Sequence, residues 1–368
     1  MKAAVLVADE KIEIQQCPEP SPGPGEVLIA PAYASICGTD QHVFAGEFAG
    51  RVAYPLIQGH EFSGTVAAVG AGVSDLAEGD RVTVDPIVPC MRCPACLMGR
   101  LSGCQRLKLL GVDLPGAFAG RVLASARSCF KVPEDLSLRH AALTEVYAIG
   151  CHATRRAQVD PGDVVVILGA GKLGQCVLEN VRRTAARLVV VTEVVPERLQ
   201  TARDLGADVV IDVGREDPVR RVAELTEGAG ADRVIEAVGH ARLVGPNPTE
   251  PMTQAAQMVR PAGRVVVLGQ GPVPAPILFK PFVWKEAEIV ASRVTLGEFP
   301  RALAMLAEGR FHPDRLITHQ LPLDRAAEGF CILADPAERA LKLLLEIEPP
   351  SEEIAPEMNP LPFRERVG

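Results

Sequence analysis

Two groups of side chains in this sequence could bind metal ions, and the first is a cluster of four cysteines. Cys90, Cys93, Cys96 and Cys104 lie within fifteen residues. Four thiolates at this spacing can surround one tetrahedral Zn²⁺ and leave no coordination position open, which is typical of a structural site. An iron–sulfur cluster and a zinc-ribbon nucleic-acid module also use short cysteine spacings, although this loop has no aromatic and few basic residues. We therefore predict a structural zinc lobe at residues 88–106.

The second group is dispersed along the chain and could form a catalytic metal site. Cys37, His60 and Glu145 offer one thiolate, one imidazole and one carboxylate. Three protein ligands leave the fourth position of a zinc ion for water or substrate, and this open position distinguishes a catalytic site from a structural one. Any one of these residues alone would normally be structural. Together they predict an electrophilic metal centre, for which Glu61 is a further carboxylate.

These side chains must be positioned by a domain of short strands. Up to about residue 145 the chain consists of strand-like runs, for example residues 26–30, 64–69 and 81–84, separated by Gly and Pro. This pattern predicts an irregular, mainly β domain over residues 1–149.

A second pattern begins at residue 150. Apolar runs alternate with helical stretches, and the first run (164–168) is continuous, as expected for a strand buried on both faces of a parallel sheet. This alternation predicts a doubly wound α/β domain over residues 150–282. We expect residues 283–348 to return to the first domain and the Pro-rich residues 349–368 to form a loosely held tail.

A glycine-rich loop follows the first buried strand of the second domain and opens a helix. The loop reads GAGKLG, so that Gly169, Gly171 and Gly174 match the pattern of dinucleotide-binding loops in the required strand–loop–helix context. The first glycine permits a tight turn, the second admits the pyrophosphate and the third lets helix and strand pack closely. Glu193, nineteen residues further on, could bind the ribose hydroxyls and would repel a 2′-phosphate. We therefore predict NAD in preference to NADP, although the nearby Arg198 would suit NADP.

Composition and charge exclude several classes of protein. The chain has 368 residues, of which 48% are hydrophobic and 23% charged, a balance that is ordinary for a folded protein of two or three domains. The net charge of −8 argues against a nucleic-acid partner. No stretch reaches the roughly 18 uninterrupted apolar residues of a membrane helix, and the N-terminus lacks a signal-peptide core. We therefore predict a cytoplasmic protein without a membrane partner, in which the ten cysteines are reduced.

Several of these motifs occur together in one known family. Residues 59–70 read GHEFSGTVAAVG, which has the form GHE-x2-G-x5-G. With the CGTD element at 37–40, the four-cysteine lobe and the glycine-rich loop, in this order, the sequence resembles the zinc-containing medium-chain dehydrogenases/reductases, the zinc alcohol dehydrogenase superfamily. The resemblance covers residues 1 to about 347. It implies a GroES-like catalytic domain, a Rossmann domain and a substrate cleft between them.

By this resemblance Cys37 and His60 are ligands of a catalytic zinc. The segment around Glu145 is similar to the sorbitol and polyol dehydrogenase branch, in which Glu occupies this position, although Val146 stands where that branch usually has Pro. We expect Cys37, His60 and Glu145 to bind the catalytic zinc during turnover. Glu61 would be an exchangeable fourth ligand, since a second carboxylate beside the thiolate would make the zinc a poorer Lewis acid.

The resemblance also implies a route for hydride and proton. The zinc-bound alkoxide would transfer a hydride to the nicotinamide. The proton would pass through Thr39 and the nicotinamide ribose to His42, whose imidazole titrates near neutral pH. Asp40 would orient His60 by a hydrogen bond. The predicted coenzyme-binding residues, in addition to the three glycines, Glu193 and Arg198, are Lys172, Leu173, Val238, Gly239, Leu268 and Gly269.

The predicted function follows from the site and the resemblance together. We expect an oxidoreductase that uses two zinc ions per chain and NAD to oxidise a secondary alcohol, a polyol or a sugar-derived diol, to a ketone. A threonine-type amino-alcohol, or a simple alcohol or aldehyde, is the alternative substrate. A non-catalytic NAD-binding protein with the same fold is the third hypothesis. The family also implies a homodimer or homotetramer.

Overall fold

The computed structural model describes residues 1–48, 50–239, 249–270 and 277–348. The predicted tail, 349–368, lies outside the described residues. Within them, two large sheets form two domains, with the predicted metal-binding side chains in the first and the glycine-rich loop in the second. No helix of the described part combines the length and the apolar character that crossing a membrane requires.

The first domain is built on a seven-stranded, mostly antiparallel sheet. Its long central strand β3 pairs with β5, β9 and β18. The pairing of β3 with β5 is irregular next to Pro31, which has no N–H for a regular ladder. The strands of this domain are β1 (Lys2–Ala8), β2 (Lys11–Gln16), β3 (Glu26–Ser35), β4 (Leu56–Ile57), β5 (Glu61–Val69), β6 (Arg81–Val84), β7 (Ile87–Val88), β8 (Lys108–Leu109), β9 (Val122–Ser125), β10 (Cys129–Lys131), β17 (Ile317–Pro322) and β18 (Lys342–Glu346).

The second domain is a six-stranded parallel sheet in the order β13-β12-β11-β14-β15-β16. All five residues of its central strand β11, which reads VVVIL, are buried. Such a continuous apolar run suits a strand that helices cover on both faces. The strands are β11 (Val164–Leu168), β12 (Leu188–Glu193), β13 (Val209–Asp212), β14 (Ala231–Glu236), β15 (Val259–Val267) and β16 (Glu288–Ala291).

The parallel sheet extends further along the chain than the sequence pattern indicated. Strand β16 pairs in parallel with β15, so that the sheet ends at Ala291 and not near the predicted domain end at residue 282. The strand has only four residues and none of them is buried, so it lacks the apolar run that marks the other strands. Beyond it, β18 pairs with β3 and so carries the end of the described chain into the sheet of the first domain.

Eleven α-helices are present in the described residues, and one of them joins the two domains. Helix α4 crosses the predicted boundary at residue 149, packs against α5 and α10, and carries Glu145 in its first turn. The helices are α1 (Gly38–Phe44), α2 (Pro94–Leu97), α3 (Leu138–Ala141), α4 (Thr144–Ala157), α5 (Lys172–Val181), α6 (Pro196–Asp204), α7 (Pro218–Leu225), α8 (Pro251–Met258), α9 (Phe279–Lys285), α10 (Phe299–Ala307) and α11 (Ala326–Ala334).

Candidate active site

The structure brings together three potential metal ligands from two separate segments. One ligand atom each of Cys37, His60 and Glu61 lies within 4.8 Å of the other two. His60 and Glu61 are buried, and Cys37 is half-buried. A thiolate, an imidazole and a carboxylate at this separation form a donor set that suits zinc. One oxygen of Glu61, Oε1, is buried without a hydrogen-bond partner, as expected if a cation completes the site.

Asp40 ties the two ligand-bearing segments to each other. Its Oδ2 accepts a hydrogen bond from the backbone N–H of Cys37 (2.8 Å), the residue that precedes helix α1. Its Oδ1 accepts one from the N–H of Gly59 (3.3 Å) and lies 3.4 Å from Nδ1 of His60. Gly59 has a φ of 97°, and a Cβ there would lie 2.5 Å from the ring of Phe118. Asp40 therefore positions both ligands, as the sequence predicted for His60 alone.

Glu61 is held by a buried lysine that the sequence analysis missed. The Lys342 ammonium forms an ion pair with Oε2 of Glu61 and donates a hydrogen bond to the Ser35 hydroxyl (2.9 Å), which itself donates to Glu61. Burial would raise the pKa of Glu61, but Lys342 and His60 lower it to about 2. The available signal was a single cation inside the apolar strand β18, which reads KLLLE. A lysine buried there requires an anionic partner.

Glu145 lies outside the three-residue set but shares its electrostatic environment. Its carboxyl group is buried, and its Oε2 has no hydrogen-bond partner. Burial, reinforced by the charge of Glu61 and opposed by that of His60, raises the pKa of Glu145 to about 8. Without a cation this side chain is therefore mostly protonated at neutral pH. A positive ion beside it would favour the carboxylate.

The two predicted proton-transfer residues lie on helix α1, which begins directly after Cys37. Thr39 and His42 are both half-buried. Nδ1 of His42 lies 2.6 Å from Oε2 of Glu47, and 40% of the His42 side chain is exposed to solvent. His42 is thus placed where a proton could reach water.

The four cysteines of the lobe converge as the sequence predicted. One sulfur from each of Cys90, Cys93, Cys96 and Cys104 lies within 4.8 Å of the others. The N–H groups of Cys90 and Arg106 donate hydrogen bonds to the sulfur of Cys104 (3.3 and 3.4 Å). Backbone N–H groups also lower the pKa of Cys93 to about 6. Burial raises the pKa of Cys96 to about 12, so the thiolate, which is the form that binds zinc, is favoured at Cys93 and disfavoured at Cys96 in the absence of a metal ion.

A cleft of about 610 Å³ runs between the domains and passes the glycine-rich loop. Both domains contribute to its wall, since Gly38 and Gln41 of α1 line it on one side. Seven of the predicted coenzyme-binding residues also line it: Gly169, Gly171, Lys172, Leu173, Glu193, Arg198 and Val238. The cleft therefore connects the glycine-rich loop with the segment that carries Cys37.

The three glycines of the loop differ in backbone conformation and in surroundings. Gly169 has a φ of 90°, which only glycine adopts readily. A Cβ on Gly174 would lie 1.9 Å from the carbonyl oxygen of Gly169, so this position must lack a side chain for helix α5 to pack. A Cβ on Gly171 would meet no atom within 4 Å. The space beside Gly171 is thus open to a ligand.

Glu193 has a structural role that the sequence did not predict. Its Oε2 accepts a hydrogen bond from the N–H of Ala170 (3.0 Å), and its Oε1 accepts from Val194 (2.7 Å) and Val195 (3.2 Å). Nη1 of Arg198 lies 3.7 Å from Oε2. The carboxylate therefore holds the glycine-rich loop against the end of β12, at the position predicted to face the ribose.

Glu236 has the same role at the end of β14, and the sequence analysis missed it. Its Oε1 accepts hydrogen bonds from the N–H groups of Val238 (2.8 Å) and Gly239 (2.7 Å). Its Oε2 accepts one from Gly269 (3.2 Å), and its backbone carbonyl accepts one from Leu268 (2.9 Å). The predicted residues Gly239, Leu268 and Gly269 do not line the cleft; they form the loops that Glu236 holds in place. The signal was an acid at the carboxyl end of a buried parallel strand, where ligands bind in such sheets.

Comparison with known proteins agrees with this arrangement. The family model for the alcohol dehydrogenase GroES-like domain matches residues 23–134, and the model for zinc-binding dehydrogenases matches residues 173–308. The 2-dehydro-3-deoxy-L-galactonate 5-dehydrogenase of Pseudoalteromonas atlantica is 33% identical over 94% of this chain and 98% of the relative. The sorbitol dehydrogenase of Bacillus subtilis is 32% identical over 93% of this chain and 94% of the relative.

A solved structure shows the same fold with a nicotinamide coenzyme. The crystal structure of an alcohol dehydrogenase from Escherichia coli CFT073, described as short chain and complexed with NADH, has a TM-score of 0.86 and 29% identity. The match covers 94% of this chain and 99% of that one.

The chain belongs to the zinc-type medium-chain dehydrogenase/reductase family. Its class is that of the NAD(P)-dependent alcohol dehydrogenases, which use zinc. The predicted fold class, a GroES-like domain with a Rossmann domain, is confirmed.

The glycine roles predict a contrast between two alanine variants. Gly174→Ala should destabilise the protein by about 1–3 kcal/mol, because the new Cβ overlaps a backbone carbonyl. Gly171→Ala should leave the melting temperature unchanged and weaken NADH binding, because the added methyl group occupies only ligand space. Thermal unfolding and NADH fluorescence titration measure the two effects. Equal melting temperatures for both variants would contradict the packing role of Gly174.

The lobe predicts a separation of stability from chemistry. Cys104→Ser should remove one zinc per chain and lower the melting temperature by about 5 °C or more. The folded fraction should keep most of its turnover, because a closed site does not touch substrate. Elemental analysis and calorimetry would check this, with the exposed Cys331→Ser as the control. Iron in place of zinc would show that the lobe binds a different metal.

Proposed function

We propose that this protein oxidises a secondary alcohol of a polyol or sugar-derived diol to a ketone, with NAD as the hydride acceptor. The main support is that the cleft beside the glycine-rich loop reaches Gly38, next to Cys37 of the clustered Cys37, His60 and Glu61. A dinucleotide bound at the loop can thus extend toward the metal-binding side chains. The sorbitol and sugar-acid dehydrogenases among the relatives support polyols as the substrate class.

The residues of the site fit a zinc ion with an open position. Zinc, when bound, supplies the positive charge that makes an alcohol hydroxyl acidic near neutral pH. Cys37 and His60 would hold the ion, and Asp40 would hold both of them through the Cys37 and Gly59 backbone amides and the His60 ring. The unpartnered oxygens of Glu61 and Glu145 are the available carboxylate ligands.

The third ligand in this proposal is Glu145, with Glu61 as an exchangeable one. Lys342 and Ser35 already occupy one oxygen of Glu61, so this carboxylate is stable without a metal. Glu145 has no such cation, and its buried carboxyl has a pKa of about 8. A buried carboxylate without a partner is costly, so Glu145 gains most from a bound zinc ion. Glu61 is the closer of the two to Cys37 and His60, and this proximity makes it the alternative third ligand.

Proton release would follow helix α1 to solvent. Thr39 lies two residues after Cys37, and His42 lies one helical turn further on. The Glu47 carboxylate, 2.6 Å from Nδ1 of His42, would orient the imidazole. The Thr39 hydroxyl would be the first group to take up the proton released from the alcohol, and the half-exposed His42 would be the group that delivers it to water.

Glu193 supports NAD as the coenzyme. Its carboxylate lies at the end of β12 on the cleft wall, where it would repel a 2′-phosphate. Arg198 lies 3.7 Å from it, so part of the positive charge that could bind a phosphate is already offset.

An exposed apolar surface on the second domain supports a homodimer or homotetramer. Strand β16 is an edge of the six-stranded sheet, and Ile289 on it is exposed. Phe279, Val283 and Trp284 of the adjacent helix α9 are also exposed. Unpaired strand edges and clustered apolar side chains are typical of interfaces.

All ten cysteines are free, which supports a reducing compartment such as the cytoplasm.

The assignment of the third ligand predicts different zinc contents for two variants. Glu145→Gln should lose the catalytic zinc and reduce turnover more than about a hundredfold. This loss is larger than the loss usually seen when a residue that hydrogen-bonds a metal ligand is mutated. Glu61→Gln combined with Lys342→Gln should retain two zinc ions, because the pair is removed together and no buried charge remains alone. Elemental analysis after dialysis gives the zinc content. The opposite result would assign Glu61 as the permanent ligand.

The substrate class predicts the outcome of a screen for NADH production. Polyols, diols and sugar acids should be oxidised with NAD, and the rate with NADP should be at least about tenfold lower, a difference of about 1.4 kcal/mol. Threonine and primary alcohols serve as the comparison set. Turnover confined to that set would reject the polyol assignment, and a preference for NADP would reject the role given to Glu193.

A further inference from the structure

A buried carboxylate lies between the two places at which the chain passes from one domain to the other. Helix α4 leads from the first domain to the second, and residues 308–316 lead from α10 back to β17, a strand of the first-domain sheet. Glu179, in the last turn of helix α5, lies between these two connections and is 1% exposed. The reaction proposed above gives this side chain no role, so its place inside the domain junction has another reason.

The Glu179 carboxylate accepts hydrogen bonds from both connections. Its Oε2 accepts one from the Tyr147 hydroxyl of α4 (2.8 Å). Its Oε1 accepts one from the backbone N–H of His312 (2.8 Å) and lies 2.8 Å from Nδ1 of the His312 ring. The Tyr147 ring stacks on Phe311, with 4.3 Å between the ring centroids. One side chain of α5 therefore holds α4 and residues 308–316 at the same time.

A buried carboxylate is better suited to orienting these segments than to stabilising them. Burial raises the pKa of Glu179, and the hydrogen bonds from His312 and Tyr147 oppose this rise without cancelling it. Buried polar groups of this kind often contribute no more to stability than well-packed apolar side chains would. Their hydrogen bonds are directional, however, so a bonded network fixes one arrangement of the elements that it joins.

Each of the two helices joined in this way carries part of the site. Helix α5 begins directly after Gly171 of the glycine-rich loop, and Gly174 lies in its first turn. Helix α4 carries Glu145 in its first turn, two residues before Tyr147. The orientation of α5 against α4 thus determines how a coenzyme at the loop is placed relative to the metal-binding side chains.

We propose that Glu179 is a positioning residue for hydride transfer, which fixes helix α5 against both connections between the domains through Tyr147 and His312. This inference rests on the proposed function. The same hydrogen bonds link the helix of the glycine-rich loop to residues 308–316, which are all described and do not line the cleft. Coenzyme binding should therefore be transmitted to that segment, and the transmission should require Glu179.

The first test measures turnover in a matched pair of variants. Glu179→Leu removes both acceptor oxygens, whereas Glu179→Gln keeps an oxygen for the His312 N–H and an amide for the Tyr147 hydroxyl. With an alcohol that the unmodified protein oxidises, kcat of Glu179→Leu should fall at least about tenfold, because hydride transfer is sensitive to misplaced reactants. KM for NAD should change less than about threefold, and Glu179→Gln should keep most of the turnover. Tyr147→Phe keeps the stacked ring and should show the same split as Glu179→Leu.

The second test needs no alcohol and follows amide hydrogen exchange with and without NADH. In the unmodified protein, NADH should slow exchange both in the glycine-rich loop and in residues 308–316. In Glu179→Leu and in Tyr147→Phe the slowing should persist in the loop and disappear from residues 308–316. Thr226→Val removes a buried hydroxyl that donates a hydrogen bond within the second domain, to the Val222 carbonyl (2.8 Å), and should behave like the unmodified protein in both tests.

The outcomes separate positioning from structural support. Unchanged kcat in Glu179→Leu, or slowing at residues 308–316 that survives in this variant or is absent from the unmodified protein, would overturn the inference. A lower melting temperature with turnover and slowing intact would assign Glu179 to stability alone. If the unmodified protein oxidises none of the alcohols tested, the proposed function fails, and hydrogen exchange still decides whether Glu179 couples the coenzyme to the domain junction.

Discussion

The burial of several negative groups in one place is the constraint on which this site depends. Cys37, Asp40, Glu61 and Glu145 gather between the two domains. Two like charges about 4 Å apart repel by about 4 kcal/mol at an effective dielectric constant of about 20. Lys342 offsets Glu61, and backbone amides stabilise Asp40. Cys37 interacts with the positive groups His60 and Lys172, whereas Oε2 of Glu145 has no hydrogen-bond partner. A metal ion would supply the positive charge that the Glu145 carboxylate lacks.

The charge at Glu61 is neutralised by a residue from the segment that returns to the first domain. Cys37, His60 and Glu61 come from the first third of the chain, whereas Lys342 comes from the last strand that the structure describes. Helix α4 brings Glu145 from the junction between the domains. The charges can balance only when β18 has paired with β3. The pairing of β18 with β3 therefore completes the sheet of the first domain and brings Lys342 to Glu61, although a parallel sheet intervenes in the sequence.

The features that the sequence predicted have contiguous signals, whereas those that it missed are single charged residues whose partners the sequence does not reveal. The cysteine lobe, the glycine-rich loop and β11 are each contiguous, so that spacing or hydrophobicity reveals them. Lys342 is one charge in an apolar strand, and its partner lies 281 residues earlier. Glu236 acts through the backbone amides of its neighbours, and its position at the end of a buried strand does not reveal those hydrogen bonds. The relation of Glu61 to Glu145 depends on side-chain positions across a domain junction, which sequence spacing cannot provide.

Glu193 has a consequence for any attempt to redesign the coenzyme preference. Mutating this acid is the obvious way to admit a phosphorylated ribose. In this protein, however, the carboxylate also accepts hydrogen bonds from three backbone N–H groups and fastens the glycine-rich loop to its strand. Its removal would loosen the loop for either coenzyme. Engineering would have to begin at Val194 and Arg198. Both residues line the cleft, and the loop is held by the Glu193 carboxylate and not by their side chains.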